Sequence, residues 1–202
     1  MIRRSLTATV VALGLFSATP SLALEEIKGA ALQLLSAVTL DGSARAELLK
    51  FRGTNDAFGA FFISPDGTTS AWYSGAFSQA DADLAARTRC EWLAQTTCQR
   101  YAILSPTTPV GQFAIPKDAR DGFREAIRNT SSGRYAAFAA NAVGGWGSSW
   151  NFATPDGARD QALLGCGVEA AKGRAETSTD LRAAFERRGV FDCKVITTMI
   201  KQ

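Results

Sequence analysis

Between residues 58 and 105, strand-length apolar runs alternate with turn residues. Phe58 to Ile63 is rich in aromatics, Ser64-Pro65-Asp66-Gly67 is a turn sequence, and Ser70 to Phe77 is a second extended run. Ser78, with Asp81 three residues on, then offers a hydroxyl to orphan backbone N–H groups and an acid to the positive end of a helix dipole, so a helix is predicted to start there. Ala82, Ala86 and Cys90 recur at spacing four and fall on one small-residue face, suited to lying close against a sheet. An extended run from Cys98 to Leu104 closes the unit, which reads strand, turn, strand, helix, strand.

The same order returns further along the chain. Ala137-Phe138 follows Ala60-Phe61 by 77 residues, and Gly144 follows Gly67 by the same interval. After a slip of one residue, Thr154 matches Ser78, Ala158 matches Ala82, Ala162 matches Ala86 and Cys166 matches Cys90. The second unit has strand patterns at Tyr135 to Ala140 and Trp146 to Phe152, a helix start at Thr154-Pro155-Asp156, and an apolar run from Cys193 to Met199. An ordered agreement of cap, alanines and cysteines points to internal duplication.

The flanking segments divide the chain. Residues 1–23 carry Arg3 and Arg4, the apolar run Val10 to Phe16 and the small-x-small site Ser21-Leu22-Ala23, the pattern of an export signal. Residues 24–57 form an N-terminal helical segment, with helical patterns at 25–37 and 44–51. Residues 58–105 are the first unit, 106–133 a linker, and 134–202 the second unit. The linker has a helix pattern from Lys117 to Asn129, with Phe123 and Ile127 inward and Arg124, Glu125 and Arg128 solvated. One unit has too few strands to bury both its aromatics and its helix face. The expected fold is therefore α+β, with the two strand-turn-strand-helix-strand units sharing one mixed, mainly antiparallel sheet and the helices packed on one face.

Export changes the reading of the cysteines, because an oxidising compartment favours bridges. Cys90, Cys98, Cys166 and Cys193 allow three pairings. In both copies the helix cysteine and the following strand cysteine belong to the same unit, which favours Cys90 with Cys98 and Cys166 with Cys193. Seven residues separate the first pair and twenty-six the second. The longer interval holds a further helix pattern, from Ser178 or Thr179 to Arg188, and the basic residues Lys172, Arg174, Arg182, Arg187 and Arg188. Because this insertion is absent from the first unit, its basic surface is the expected partner contact.

Composition narrows the chemistry. Among the 202 residues there is no histidine, which excludes Ser-His-Asp and Cys-His nucleophile activation and His-ligated zinc. The formal net charge is +3, and the basic residues interleave with acids, so no nucleic-acid stripe is expected. No apolar run after the signal is long enough for a membrane span. Gly165-Cys166-Gly167-Val168-Glu169-Ala170 resembles a dinucleotide pattern only in letters, since it falls inside a helix. The glycines from Gly144 to Gly147 lack a phosphate-loop ending and read as a tight turn. Asp66, Asp83, Glu91, Asp156 and Asp160 are the carboxylates that could pair for glycoside hydrolysis, although most sit where turns and helix starts want an acid. Trp72, Trp146 and Trp150 could stack on sugars, or enter the core. No catalytic, cofactor or metal residue is expected.

Ala137-Phe138-Ala139, Gly145-Trp146-Gly147, the helix from Ala158 to Cys166, and Asp192-Cys193-Lys194-Val195 together resemble a family of small exported bacterial cysteine-containing domains of unknown function, often in tandem. The resemblance covers residues 58 to 199 and is weaker in the first unit, where Trp72-Tyr73 replaces the Trp-Gly turn. Similar proteins sometimes carry the label 5-aminolevulinate synthase. That chemistry needs a larger pyridoxal-phosphate fold, and no lysine here has a Schiff-base context. The functional expectation is a periplasmic or secreted, disulfide-stabilised, non-enzymatic binding or structural module for an envelope protein or ligand. Its alternatives are a small cell-wall or glycoside hydrolase using carboxylates, and an inhibitor or immunity-type protein.

Overall fold

A computed structural model describes residues 29–54, 56–107, 115 and 117–202. The expected export signal, residues 1–23, lies outside the described residues, as does most of the 105–115 stretch of the linker. The described chain is α+β, with five helices and seven strands. In order these are β1 (Ala30–Leu34), α1 (Gly42–Gly53), β2 (Gly59–Ile63), β3 (Ser70–Ser74), α2 (Gln79–Ala94), β4 (Gln99–Pro106), α3 (Lys117–Asn129), β5 (Tyr135–Ala140), β6 (Trp146–Phe152), α4 (Pro155–Glu176), α5 (Thr179–Arg187) and β7 (Lys194–Ile200).

The strands form two sheets, where a single shared sheet is the expectation. The first has the order β1-β4-β2-β3 and the second β6-β5-β7, with every pairing antiparallel. Within each unit the first strand is central, flanked by the second and the last. The reason for two sheets is coverage: each sheet is clothed on both faces, so neither needs the other's strands. In the first, Phe61 and Ile63 of β2 pack with Phe51 of α1, while Ala60 and Phe62 face Ala82, Ala86 and Cys90 of α2. In the second, Phe138 and Ala140 of β5 pack with Ala119 and Phe123 of α3, while Ala137 and Ala139 face Ala158, Ala162 and Cys166 of α4. Helices therefore lie on both faces, not on one. Double coverage also explains why all five residues of β2 are buried, instead of alternating.

The N-terminal helical reading of 25–37 does not hold where the chain is described. Ala30–Leu34 is a strand, paired with β4 from Ala30↔Pro106 to Leu34↔Ala102. Its residues have fair helix propensity, and the ladder on the open side of β4 outweighs it. The other helix starts follow the local chemistry. Asp41 accepts from the Ala44 N–H at 2.7 Å, Ser78 from Asp81 at 3.1 Å, and Thr154 from Gly157 at 3.2 Å, with Pro155 at the first position of α4. Gly67 and Gly144 both turn their hairpins at φ near +77°, a conformation that favours residues without a Cβ.

Each helix is bridged to the last strand region of its own unit. Cys90 bonds Cys98 and Cys166 bonds Cys193, with Cα–Cα distances of 6.1 and 6.0 Å. Among the described residues, no helix is long and apolar enough to cross a membrane.

Candidate functional site

The insertion of the second unit is the last turns of α4, then α5. Thr177 ends α4 by donating its hydroxyl to Gly173 O at 2.7 Å, and Arg182 folds back to the Thr177 carbonyl at 2.9 Å. On its inner side α5 presents Leu181, Ala184 and Phe185. Phe185 meets Phe191 edge-on at 5.6 Å, and both join a cluster with Leu84 and Ala85 of α2 and Tyr73 of β3. The insertion is therefore a strap from the second unit across the first.

This placement redefines the expected basic contact surface. Lys172 pairs with Glu169 at 2.7 Å, Arg174 approaches Glu186 at 3.7 Å and lies 5.2 Å over the Phe191 ring, and Arg188 pairs with Glu91 on α2. Arg182 holds the α4–α5 corner. Of the five, Arg187 alone is exposed and makes neither an ion pair nor a side-chain hydrogen bond among the described residues. Arg174, Arg182 and Arg188 thus brace the strap while Lys172 pairs only within α4, and what they leave open is the space beneath it.

That space is a cleft of about 330 Å³. One wall is β3 and α2, through Trp72, Tyr73, Ala85 and Arg89; Val143, from the β5–β6 turn, also lines it. The other wall is Gly173 and Glu176 of α4, the Thr177-Ser178 corner, Leu181 and Phe185 of α5, and Phe191. Tyr73 is set into it by the turn of the second unit, where a Cβ added at Gly144 would come within 3.1 Å of the phenol oxygen. Burial, reinforced by the charge of Asp56, pushes the Tyr73 phenol well above its ordinary range, so it remains a neutral hydroxyl. Trp72 donates its indole N–H to Glu47 at 2.9 Å. Bonds from Lys50 and then Trp72 hold the Glu47 carboxyl below its ordinary range, with Arg89 adding a weaker pull.

The carboxylates that could have made a hydrolytic pair are dispersed. Asp66 is built into its turn by Ser64 and Thr68, Asp83 is bound by Gln79 and Arg100, and Glu91 is taken by Arg188. Asp156 pairs with Arg159 at 3.1 Å in the first turn of α4, and Asp160 borders an apolar depression on the outer face of that helix with Leu164 and Val168. Burial raises Asp83 above its ordinary value, against the pull of Gln79 and Arg100. The tryptophans do not make a common platform either. Trp72 packs on Phe51 at 5.9 Å, Trp146 stacks on Phe138 at 5.9 Å, and Trp150 is exposed. No cluster of three metal-ligating side chains occurs among the described residues.

Sequence reasoning singled out the insertion by its basic residues and not by the cleft beneath it. Arg89, Glu176 and Tyr73 were missed. Arg89 lies one helical turn beyond Ala85, so it borders the face of α2 that meets α5, a relation visible only once that face is known to be covered. No protein-family model, no curated protein and no solved structure matches the chain, so the cleft stands on its own geometry.

Proposed function

We propose that the protein is an exported, disulfide-stapled binding module of two duplicated units that captures its ligand in the cleft between them. The observation that carries this reading is the cleft itself: a concave, aromatic-walled site where the two units and the insertion converge. The dispersal of Asp66, Asp83, Glu91, Asp156 and Asp160 into structural contacts weighs against the hydrolase alternative. Two disulfides support an oxidising location, periplasmic or extracellular. The common strand order and matching bridges support duplication, as does the resemblance to small exported tandem-repeat cysteine domains.

The test is a fragment screen on the oxidised protein by amide NMR, run beside assays on peptidoglycan and glycosides. Bound fragments are expected to shift the signals of Trp72, Ser178 and Leu181, without turnover. Turnover abolished by substituting one of the dispersed carboxylates would overturn the reading.

A further inference from the structure

The charges around the cleft divide into two kinds. Three basic residues of the strap are matched, Lys172 with Glu169, Arg174 with Glu186 and Arg188 with Glu91, whereas Arg187 is unpaired among the described residues but does not line the cleft. The side chains of Arg89 and Glu176, which line the cleft itself, make neither an ion pair nor a hydrogen bond among the described residues, and they do not pair with each other. Arg89 adds a weak electrostatic pull on Glu47, the carboxylate that holds the Trp72 indole. Much of the remaining lining is apolar, with Leu181, Phe185, Phe191 and Val143 among it. The Thr177-Ser178 corner adds polar groups: Ser178 makes no side-chain bond to the first turn of α5, so the N–H groups there are left open beside the cleft. By contrast, Asp41, Ser78 and Thr154 each cap their helices.

An unmatched cation, an unmatched anion and an apolar floor complement a molecule that carries a carboxylate, an ammonium and an apolar body together. Resting on the binding reading above, we infer that the cleft takes a small apolar zwitterion, a free aromatic or branched amino acid or a dipeptide of such residues. Arg89 and the open turn of α5 receive the carboxylate, Glu176 receives the ammonium, and Phe185 and Leu181 cover the side chain. A volume of about 330 Å³ sits at the small end of ligand sites, roughly 300–1,000 Å³, which suits one or two residues and not an oligosaccharide. Neither charge needs the ligand for folding, since both side chains are exposed in the free protein.

Calorimetric titration of the oxidised protein with L-phenylalanine and with L-leucyl-L-phenylalanine tests this, using N-acetyl-L-phenylalanine, L-phenylalaninamide and indole as comparisons. Each comparison lacks one or both charges. The zwitterions are expected to bind at least about tenfold more tightly than any of the three, the size of one charge-assisted hydrogen bond. Arg89→Gln should abolish the advantage over L-phenylalaninamide, and Glu176→Gln the advantage over N-acetyl-L-phenylalanine; circular dichroism checks that both variants remain folded. Equal binding of indole and L-phenylalanine, with cleft signals shifting for both, would overturn the zwitterion assignment and leave the cleft as a site. If neither perturbs Trp72, Ser178 or Leu181, the assignment and the binding reading fall together.

Discussion

Gly147 and Gly167 both look like flexible positions in a glycine-rich sequence, yet their surroundings are opposite. A Cβ on Gly147, in β6, would lie 2.3 Å from the Cys166 nitrogen and 2.4 Å from the Ala162 carbonyl, both rigid backbone of α4. One on Gly167 would meet nothing within 4 Å. Gly147→Ala must therefore push α4 off its sheet and is expected to cost about 3 kcal/mol or more, whereas Gly167→Ala should stabilise by up to about 1 kcal/mol through helix propensity. Chemical denaturation of the two variants checks both signs. Titration gives a second pair of opposite effects. The folded-state carboxyl of Glu47 is depressed, so its contribution is present above its ordinary value and is lost as pH falls through the folded one. That of Asp83 is raised by burial, so its contribution grows as pH falls through the folded value. Thermal melts from roughly pH 7 to pH 3 should show a shallower acid loss for Glu47→Gln and a steeper one for Asp83→Asn. A common slope for both would contradict these assignments.

At the scale of elements, the two bridges close loops of unequal length. Cys90 and Cys98 are 8 apart in sequence, Cys166 and Cys193 27 apart. In the chain-entropy account the shorter loop contributes about 2.5 kcal/mol and the longer about 3.5 kcal/mol. Cys166→Ala with Cys193→Ala should thus lower the unfolding midpoint more than the corresponding Cys90 and Cys98 pair, and equal losses would show that strap packing, not loop closure, sets stability there. Much at this scale was legible from sequence. The helix starts at Ser78 and Thr154 rest on local hydrogen bonds, and the bridges follow from two cysteines that recur in one register, so short-range chemistry announced both. What was not legible depends on coverage by distant segments. Ala30–Leu34 reads as helix until β4 is seen to offer it an edge, and the run Gly59–Ile63 does not reveal that α1 and α2 lie on opposite sides of it. The cleft belongs to the same class: Arg89 and Glu176 are ordinary exposed charges until α5 is laid across α2.

Across the whole molecule, the absence of a shared sheet raises the question of what joins the units. Two side-chain clusters do. Phe77, which follows the hairpin of the first unit, is fully buried and packs 5.7 Å from Phe138 of the second, among Ala136 and the linker-helix residues Ala119 and Phe123. On the other side Ala85 of α2 sits with Phe185, Val190 and Phe191 beneath the strap. A cavity made in either cluster exposes both units, so unfolding should be one cooperative event even though the sheets are separate. Phe77→Ala is expected to cost about 3–5 kcal/mol and to lower the hydrogen-exchange protection of the Phe61 and Phe138 amides by similar amounts, although one lies in β2 and the other in β5. Cleavage within residues 105–115 should correspondingly fail to release two folded halves. Protection lost in one sheet and retained in the other, or stable halves after cleavage, would make the units independent domains. The cleft would then be a contact that opens with them and not a fixed site.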